Sequence, residues 1–351
     1  MYIAEKIKVM KQNKKSKSGF LKYFLFFIAA LIILYLAGPT VEKPQSDAYV
    51  APTEHTLSLE QLEKQINDAE SQVDYLKPDN ESRILWVNPD SVYKTEYVLL
   101  YLHGFSASPK EGYPINYDFG KHYGMNTYIP RLYGHGLDSP DNLVDMTPDK
   151  LINSAKDALE IARQLGDKVI IMSTSTGGTL SLLLAAANPD IFAQILYSPN
   201  IEIKDNSSKI LTFPWGLQLG RLIAGEYLIY DDEPEVQKYW QSKYRIEGVV
   251  YLQSLVENTM KKTTFEKINQ PLFLGYYYKN EIENDPTVKV SAMLKMFNEI
   301  ETPNALKKAH AFPEVGVHPL ASGIKSKNIE AVRAETYKFA EEILKLNPIK
   351  D

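Results

Sequence analysis

The chain has 351 residues, 44% of them hydrophobic, and a formal charge of −5, enough apolar material for one large domain or two ordinary ones. The small charge argues against a nucleic-acid partner, which would need Lys and Arg clustered on one face. With no cysteine anywhere, disulfides, thiolate metal ligands and a Cys nucleophile are excluded.

Residues 1–19 form a basic segment carrying Lys6, Lys8, Lys11, Lys14, Lys15 and Lys17, and an apolar run from Phe20 to Gly38 follows, broken only by Lys22. About 20 apolar residues span a bilayer as a helix. A single transmembrane anchor over 20–38 is therefore expected, with the lysines on the cytoplasmic side and the bulk of the chain on the other. The alternative is a signal segment cleaved near Gly38 or Pro39, which would leave a secreted or periplasmic protein. Residues 39–56 are polar and proline-containing, as a linker would be. The main domain is expected over 57–351, opening with a helix over 57–72 that lines up Leu59, Leu62, Ile66 and Ala69.

Short apolar runs then alternate with helical patterns. "RILWV", "YVLLYLHG", "NTYIP", "KVIIM", "FAQILYSP", "PLFLGYYY" and "KKAHAF" read as strands. Several are continuously apolar, as strands buried on both faces must be. Between them, "TPDKLINSAKDALEIARQLG" has Thr147 as a cap, Pro148 in its first turn and Gly166 at its end. "GTLSLLLAAANP", "SAMLKMFNEI" and "IEAVRAETYKFAEEILKL" are further helices. This order predicts an α/β fold with a mostly parallel sheet and helices on both faces. The block 202–270 breaks the alternation and is too long for an ordinary connection. It is expected to fold as an insertion over one sheet edge, with Trp215, Tyr227, Tyr230, Trp240 and Tyr244 either lining a cleft or building its own small core.

The stretch "VIIMSTSTGGTL" sits between a strand and a helix. A G-x-S-x-G frame there would set a serine on a sharp turn with its hydroxyl exposed. Centred on Ser175, the frame has Ser173 as a small substitute for the first glycine and retains Gly177. Thr174 has no evident role. A second strand ends in "LHGFSAS", where Gly104 permits close backbone approach. The N–H groups of Phe105 and Thr176 are the natural pair of oxyanion donors, and His103 beside them is expected to fix the loop.

A serine nucleophile needs a base. His55 falls in the linker, His122 on a helix, His135 in a loop after a strand, and His310 inside a strand. His318, in the loop "GVHPL" after the last strand, is the expected base. The acid that orients it should follow "PLFLGYYY": Asp285 is favoured, Glu281 is the alternative, and Glu283 stands behind both.

Taken together, "LHGFSAS", "RLYGHGLDS", "STSTGG", "NDPTV" and "GVHPL", in the chain order Ser, acid, His, resemble the α/β-hydrolase fold family, particularly its carboxylesterase and monoacylglycerol-lipase-like branch. The resemblance covers about residues 83–347. It implies an eight-stranded sheet with an inserted cap, and cleavage of carboxylic esters by Ser175, His318 and Asp285 through an acyl-enzyme, with no cofactor and no metal. The partners it implies are a small-molecule or lipid ester and, through the N-terminal helix, a membrane. Thioesterase, amidase or acyltransferase chemistry on the same residues remains open, as does a membrane-tethered binding protein without turnover.

Overall fold

The computed structural model describes residues 1–52 and 57–349, with side chains throughout except those of 11–19; His55 lies outside the described residues. The strands are β1 (Arg83–Leu85), β2 (Thr95–Leu102), β3 (Asn126–Ile129), β4 (Gly166–Thr174), β5 (Ala193–Tyr197), β6 (Tyr227–Ile229), β7 (Lys243–Arg245), β8 (Leu272–Tyr276) and β9 (Lys307–Ala311). The helices that matter below are α1 (Tyr2–Leu36), α2 (Leu59–Ser71), α3 (Ile115–His122), α4 (Pro148–Leu165), α5 (Thr176–Ala187), α6 (Gly216–Ala224), α7 (Pro234–Tyr239), α8 (Ile246–Thr259), α9 (Lys262–Phe265), α10 (Val290–Glu299) and α11 (Ile329–Glu342).

Seven strands form one sheet in the order β1-β3-β2-β4-β5-β8-β9. All its neighbours are parallel except the edge pair β1–β3. The expected count was eight. Upstream of β1, where a further edge strand would lie, the chain instead forms α2, with Ser58 and Gln61 closing a capping box, followed by irregular chain to Ser82. The sequence there, "VDYLKPDNES", has no alternation to bury and carries a proline and turn-forming residues that stop a ladder.

Alternation along β2 shows how the central strands are held. Val98, Leu100 and Leu102 enter one core with residues of α4, α5 and α10. Leu99 and Tyr101 point the other way, into a second core with residues of α3 and α11. Both faces are therefore dry, which is why these strands read as unbroken apolar runs. The capping expectation for α4 holds, since Thr147 Oγ1 accepts from Lys150 N–H. Gly166 acts differently from a helix stop. It is extended and opens β4, and a Cβ there would stand 2.6 Å from Val98 Cβ.

The insertion between β5 and β8 contains α6, the antiparallel ribbon β6–β7, α7, α8 and α9. Chain segment 39–50 is strapped to the domain. Asp149 Oδ1 accepts from the N–H groups of Gln45 and Ser46, Asn188 bonds Val50 N–H and Ala48 C=O, and Ser254 O–H donates to Glu42 C=O. Before the strap comes α1, whose described apolar end, Phe20–Leu36, is almost wholly exposed. Among the described residues, no helix is long and apolar enough to cross a membrane.

Candidate active site

Parallel strands end together, so the loops after β2, β4, β5, β8 and β9 converge at one edge of the sheet. Ser175 sits at the turn from β4 to α5 with φ 54° and ψ −116°, backbone that costs a non-glycine residue of order 1–3 kcal/mol. Two hydrogen bonds hold it there: Ser175 N–H donates to Tyr197 C=O (3.0 Å), and Ser175 C=O accepts from Asn200 N–H (2.9 Å). The frame read from the sequence has a steric basis. A Cβ on Gly177 would come within 2.0 Å of Leu102 C=O, and one on Gly178 within 2.6 Å of Pro199 Cβ. Ser173 is fully buried between β2 and β5, where a larger side chain would not fit without displacement.

The loop after β2 reaches the nucleophile turn: a Cβ on Gly104 would lie 3.1 Å from Ser175 Cβ. His103 fixes this loop as expected. Its Nε2 accepts from Leu132 N–H (3.0 Å), so the ring proton is on Nδ1, which donates to Gly104 C=O (2.9 Å). Burial and the neighbouring His135 keep His103 neutral, well below the usual imidazole range. Among the described residues, neither Phe105 N–H nor Thr176 N–H is engaged by a protein acceptor.

Asp285 and His318 are brought together. His318 Nδ1–H donates to Asp285 Oδ2 (2.8 Å), with Oδ1 at 3.0 Å. Asp285 Oδ1 also accepts from Thr287 N–H (2.9 Å) and Val288 N–H (3.0 Å). Burial opposes the charge of Asp285, but the His318 charge and these hydrogen bonds outweigh it and hold the carboxyl below its ordinary range. Burial also disfavours imidazolium at His318, yet the charge and hydrogen bond of Asp285 raise its pKa above the ordinary value. Among the described residues, His318 Nε2 is buried without a partner. Glu281 and Glu283 point elsewhere. Glu281 is exposed and accepts from Tyr278 O–H (2.8 Å), and Glu283 pairs with Lys279.

The remaining histidines lie apart from this constellation. His122 stacks on Tyr337, His310 faces Glu335, and His135 is buried behind His103 and Phe105, its pKa lowered to about 4 by burial. Ser175 and His318 open into a cavity of about 360 Å³, lined also by Phe105, Tyr230, Trp240 and Tyr244. Three of the five aromatics singled out in the insertion thus face the cavity. Trp215 instead contacts the end of α1 through Leu34 C=O, and Tyr227 donates to Asp141. Residues that sequence reasoning missed are Glu111, which also lines the cavity, and its partner Tyr101. Among the described residues, no three His, Asp or Glu side chains group closely enough to hold a metal ion.

Comparison with known proteins agrees with this architecture. The thermostable monoacylglycerol lipase of Bacillus sp. (strain H-257) is 29% identical over 105 residues, which is 30% of this chain and 41% of the lipase. The chain thus matches well under half the length of that curated relative. A structure from the metagenome-derived lipolytic enzymes LipS and LipT superposes with a TM-score of 0.61 at 16% identity, covering 75% of this chain and 98% of the other. Est1E from Butyrivibrio proteoclasticus with ferulic acid bound gives 0.50 at 18% identity, covering 76% and 95%. At such identities these two likenesses concern the fold alone. The profile described as the alpha/beta hydrolase family matches residues 99–321, which span β2 to the loop beyond His318 and take in Ser175 and Asp285; the chain belongs to the alpha/beta hydrolase family.

Proposed function

We propose that the protein is a serine hydrolase of carboxylic esters, with Ser175 as nucleophile, His318 as base and Asp285 as the acid that orients it. The observation that carries this reading is the Asp285–His318 bond. It places the imidazole proton on Nδ1 and leaves an unpartnered Nε2 in the cavity that Ser175 also lines. His318 Nε2 takes the Ser175 proton as Oγ attacks the ester carbonyl, and the N–H groups of Phe105 and Thr176 receive the developing oxyanion. His318 then gives that proton to the leaving alcohol. Water attacks the acyl-enzyme in a second, mirrored cycle that frees the acid and restores Ser175. The lipase relative supports an ester with an acyl chain, as does a cavity walled by Phe105, Tyr230, Trp240 and Tyr244. A fluorophosphonate probe is expected to label the wild type and not Ser175→Ala; labelling that survives the substitution would remove Ser175 from this role.

We infer as well that the exposed apolar end of α1 holds the protein at a membrane. At 1.5 Å per residue Phe20–Leu36 is about 25 Å long, short of a ~30 Å hydrocarbon core, so the exposure of this stretch and not a full span supports the reading. Its Phe24, Phe26, Phe27, Ile33 and Leu36 are exposed, with nothing among the described residues covering them. The cap stands where this helix ends: Trp215 Nε1–H donates to Leu34 C=O and Trp215 N–H to Pro39 C=O, each at 3.0 Å. One turn of the cap helix α6 carries Leu222 and Ile223, 81% and 83% exposed, a placement that suits contact with lipid beside the anchor. Release of the protein from membranes by an alkaline wash without detergent would refute the anchor.

A further inference from the structure

Glu111 lies outside the Ser–His–Asp set, yet it is 3% exposed and sits on the short turn Pro109–Gly112 just beyond the loop that carries Phe105. Its Oε2 accepts from Gly104 N–H (2.7 Å) and from Tyr101 O–H (3.2 Å). Tyr101 oxygen is 3.0 Å from Thr174 Oγ1. With the single phenolic proton directed at Glu111, Tyr101 accepts here, so the Thr174 hydroxyl donates. Thr174 immediately precedes Ser175.

A continuous chain, Thr174 to Tyr101 to Glu111 to Gly104, therefore joins the turn bearing Thr176 N–H to the loop bearing Phe105 N–H. The loop side is fixed twice. Glu111 holds the N–H of Gly104, and His103 holds its C=O, which shares a peptide plane with Phe105 N–H. Resting on the proposed role of Ser175, we propose that Glu111 is a positioning residue that aligns the two halves of the oxyanion hole with each other. It touches no reacting atom; it acts through Gly104 on one side and through Tyr101 and Thr174 on the other.

Every neighbour bonded to Glu111 presents a proton, so the ionised carboxyl is the form these bonds fit. Burial works against that form and pushes the Glu111 pKa up to about 7, opposed by the Gly104 N–H, by His318, by Tyr101 and by Lys325. A neutral carboxyl still offers its carbonyl oxygen to both donors, as an amide would; what the alignment needs is an acceptor at the place of Oε2.

The test measures kcat and KM for p-nitrophenyl butyrate at pH 8, using the full chain of the wild type, Ser175→Ala, Glu111→Gln, Glu111→Ala and Tyr101→Phe. Glu111→Gln keeps an acceptor for Gly104 and Tyr101, and its kcat is expected within about tenfold of wild type. Glu111→Ala loses kcat by about 10²-fold, comparable to removing one oxyanion donor, with KM within about threefold. Should Glu111→Ala fail to fold, Tyr101→Phe, which cuts the chain between Glu111 and Thr174, decides: its kcat is expected to fall by about tenfold with KM within about threefold. A wild type that hydrolyses the ester, a dead Ser175→Ala, and a folded Glu111→Ala or Tyr101→Phe with kcat unchanged would overturn the role of Glu111 alone. Activity that persists in Ser175→Ala would overturn the reading beneath it.

Discussion

Asp285→Asn tests the proposed acid, because the structure dictates how the new amide must sit. Asp285 Oδ1 accepts from two backbone N–H groups, those of Thr287 and Val288. The amide oxygen of Asn must take that position. Turning the NH2 toward the two donors would leave both unsatisfied in a buried site, at about 2–4 kcal/mol for the pair. The NH2 therefore faces His318 Nδ1 from the place of Oδ2, 2.8 Å away, and presents a proton where a carboxylate accepted one. Nδ1 becomes the acceptor, the ring proton moves to Nε2, and Nε2 can no longer take the Ser175 proton. The imidazolium also loses its countercharge. This tautomer inversion is worth about 10⁴-fold in kcat in a serine triad, roughly 5.4 kcal/mol at 1.36 kcal/mol per decade. The assay is p-nitrophenyl butyrate hydrolysis at pH 8, with thermal melting to show that the variant is folded. Glu281→Gln is the control. Its side chain is exposed and meets only Tyr278, so its kcat should stay within about twofold. A folded Asp285→Asn within tenfold of wild type would refute the tautomer argument, and a large loss in Glu281→Gln would move the acid role there.

Two further outcomes are expected. Leu222→Asp/Ile223→Asp should slow hydrolysis of monoacylglycerol embedded in vesicles by tenfold or more while leaving soluble p-nitrophenyl acetate within about twofold; equal effects on both substrates would rule out lipid contact by α6. Glu111 should also couple stability to pH. Its folded pKa, pushed to about 7 by burial, lies above the ~4.3 of an unfolded glutamate, so between these values the native state binds the extra proton. The associated stability is fully present below about pH 4.3 and is lost as pH rises through 7, a change of roughly 4 kcal/mol. Glu111→Gln lacks this slope, so urea unfolding should show its stability relative to wild type growing from pH 5 to 7.5. A constant difference would refute the assignment.

The candidate site, Ser175, His318 and Asp285, could be read from the sequence because parallel strands constrain where chemistry can sit. A small-residue turn after one strand, and polar residues in the loops after two others, must meet at one edge. In sequence Asp285 and Glu281 lie in the same loop after one strand. The structure separates them, since the N–H groups of Thr287 and Val288 cradle Asp285 Oδ1. The missing edge strand, the strapped segment 39–50 and Glu111 depend on contacts far apart in sequence, which local pattern does not carry. In "SASPKEGYP" a glutamate beside a lysine reads as a solvated loop charge. Only the fold tucks it beneath Gly104. Tyr101, within a continuously apolar strand, showed no sign that its hydroxyl would be directed.

Thr174 illustrates why such contacts concentrate here. The ladder between β2 and β4 ends at the pair Leu102 and Ser173, so everything that catalysis would need begins one residue past the last strand registration. Beyond that point the two N–H groups proposed to bind the oxyanion, those of Phe105 and Thr176, come from segments about 70 residues apart, and backbone pairing no longer fixes one against the other. Functional geometry tolerates about 0.5 Å, which a loop free of side-chain bonds would not hold. The Thr174 hydroxyl lies 3.0 Å from the Tyr101 oxygen, and Tyr101 reaches Glu111 in turn, so registration continues through side chains where the ladder stops. A carboxylate suits this position because it accepts from Gly104 and Tyr101 at once, whereas an apolar side chain would leave both donors unsatisfied. Its burial keeps the ionised form costly, and that cost is the origin of the loss of stability above pH 4.3. If Glu111→Gln keeps kcat while removing that loss, one side chain both aligns the loop and carries the buried charge. If the loss persists in Glu111→Gln, the buried charge belongs to a different group.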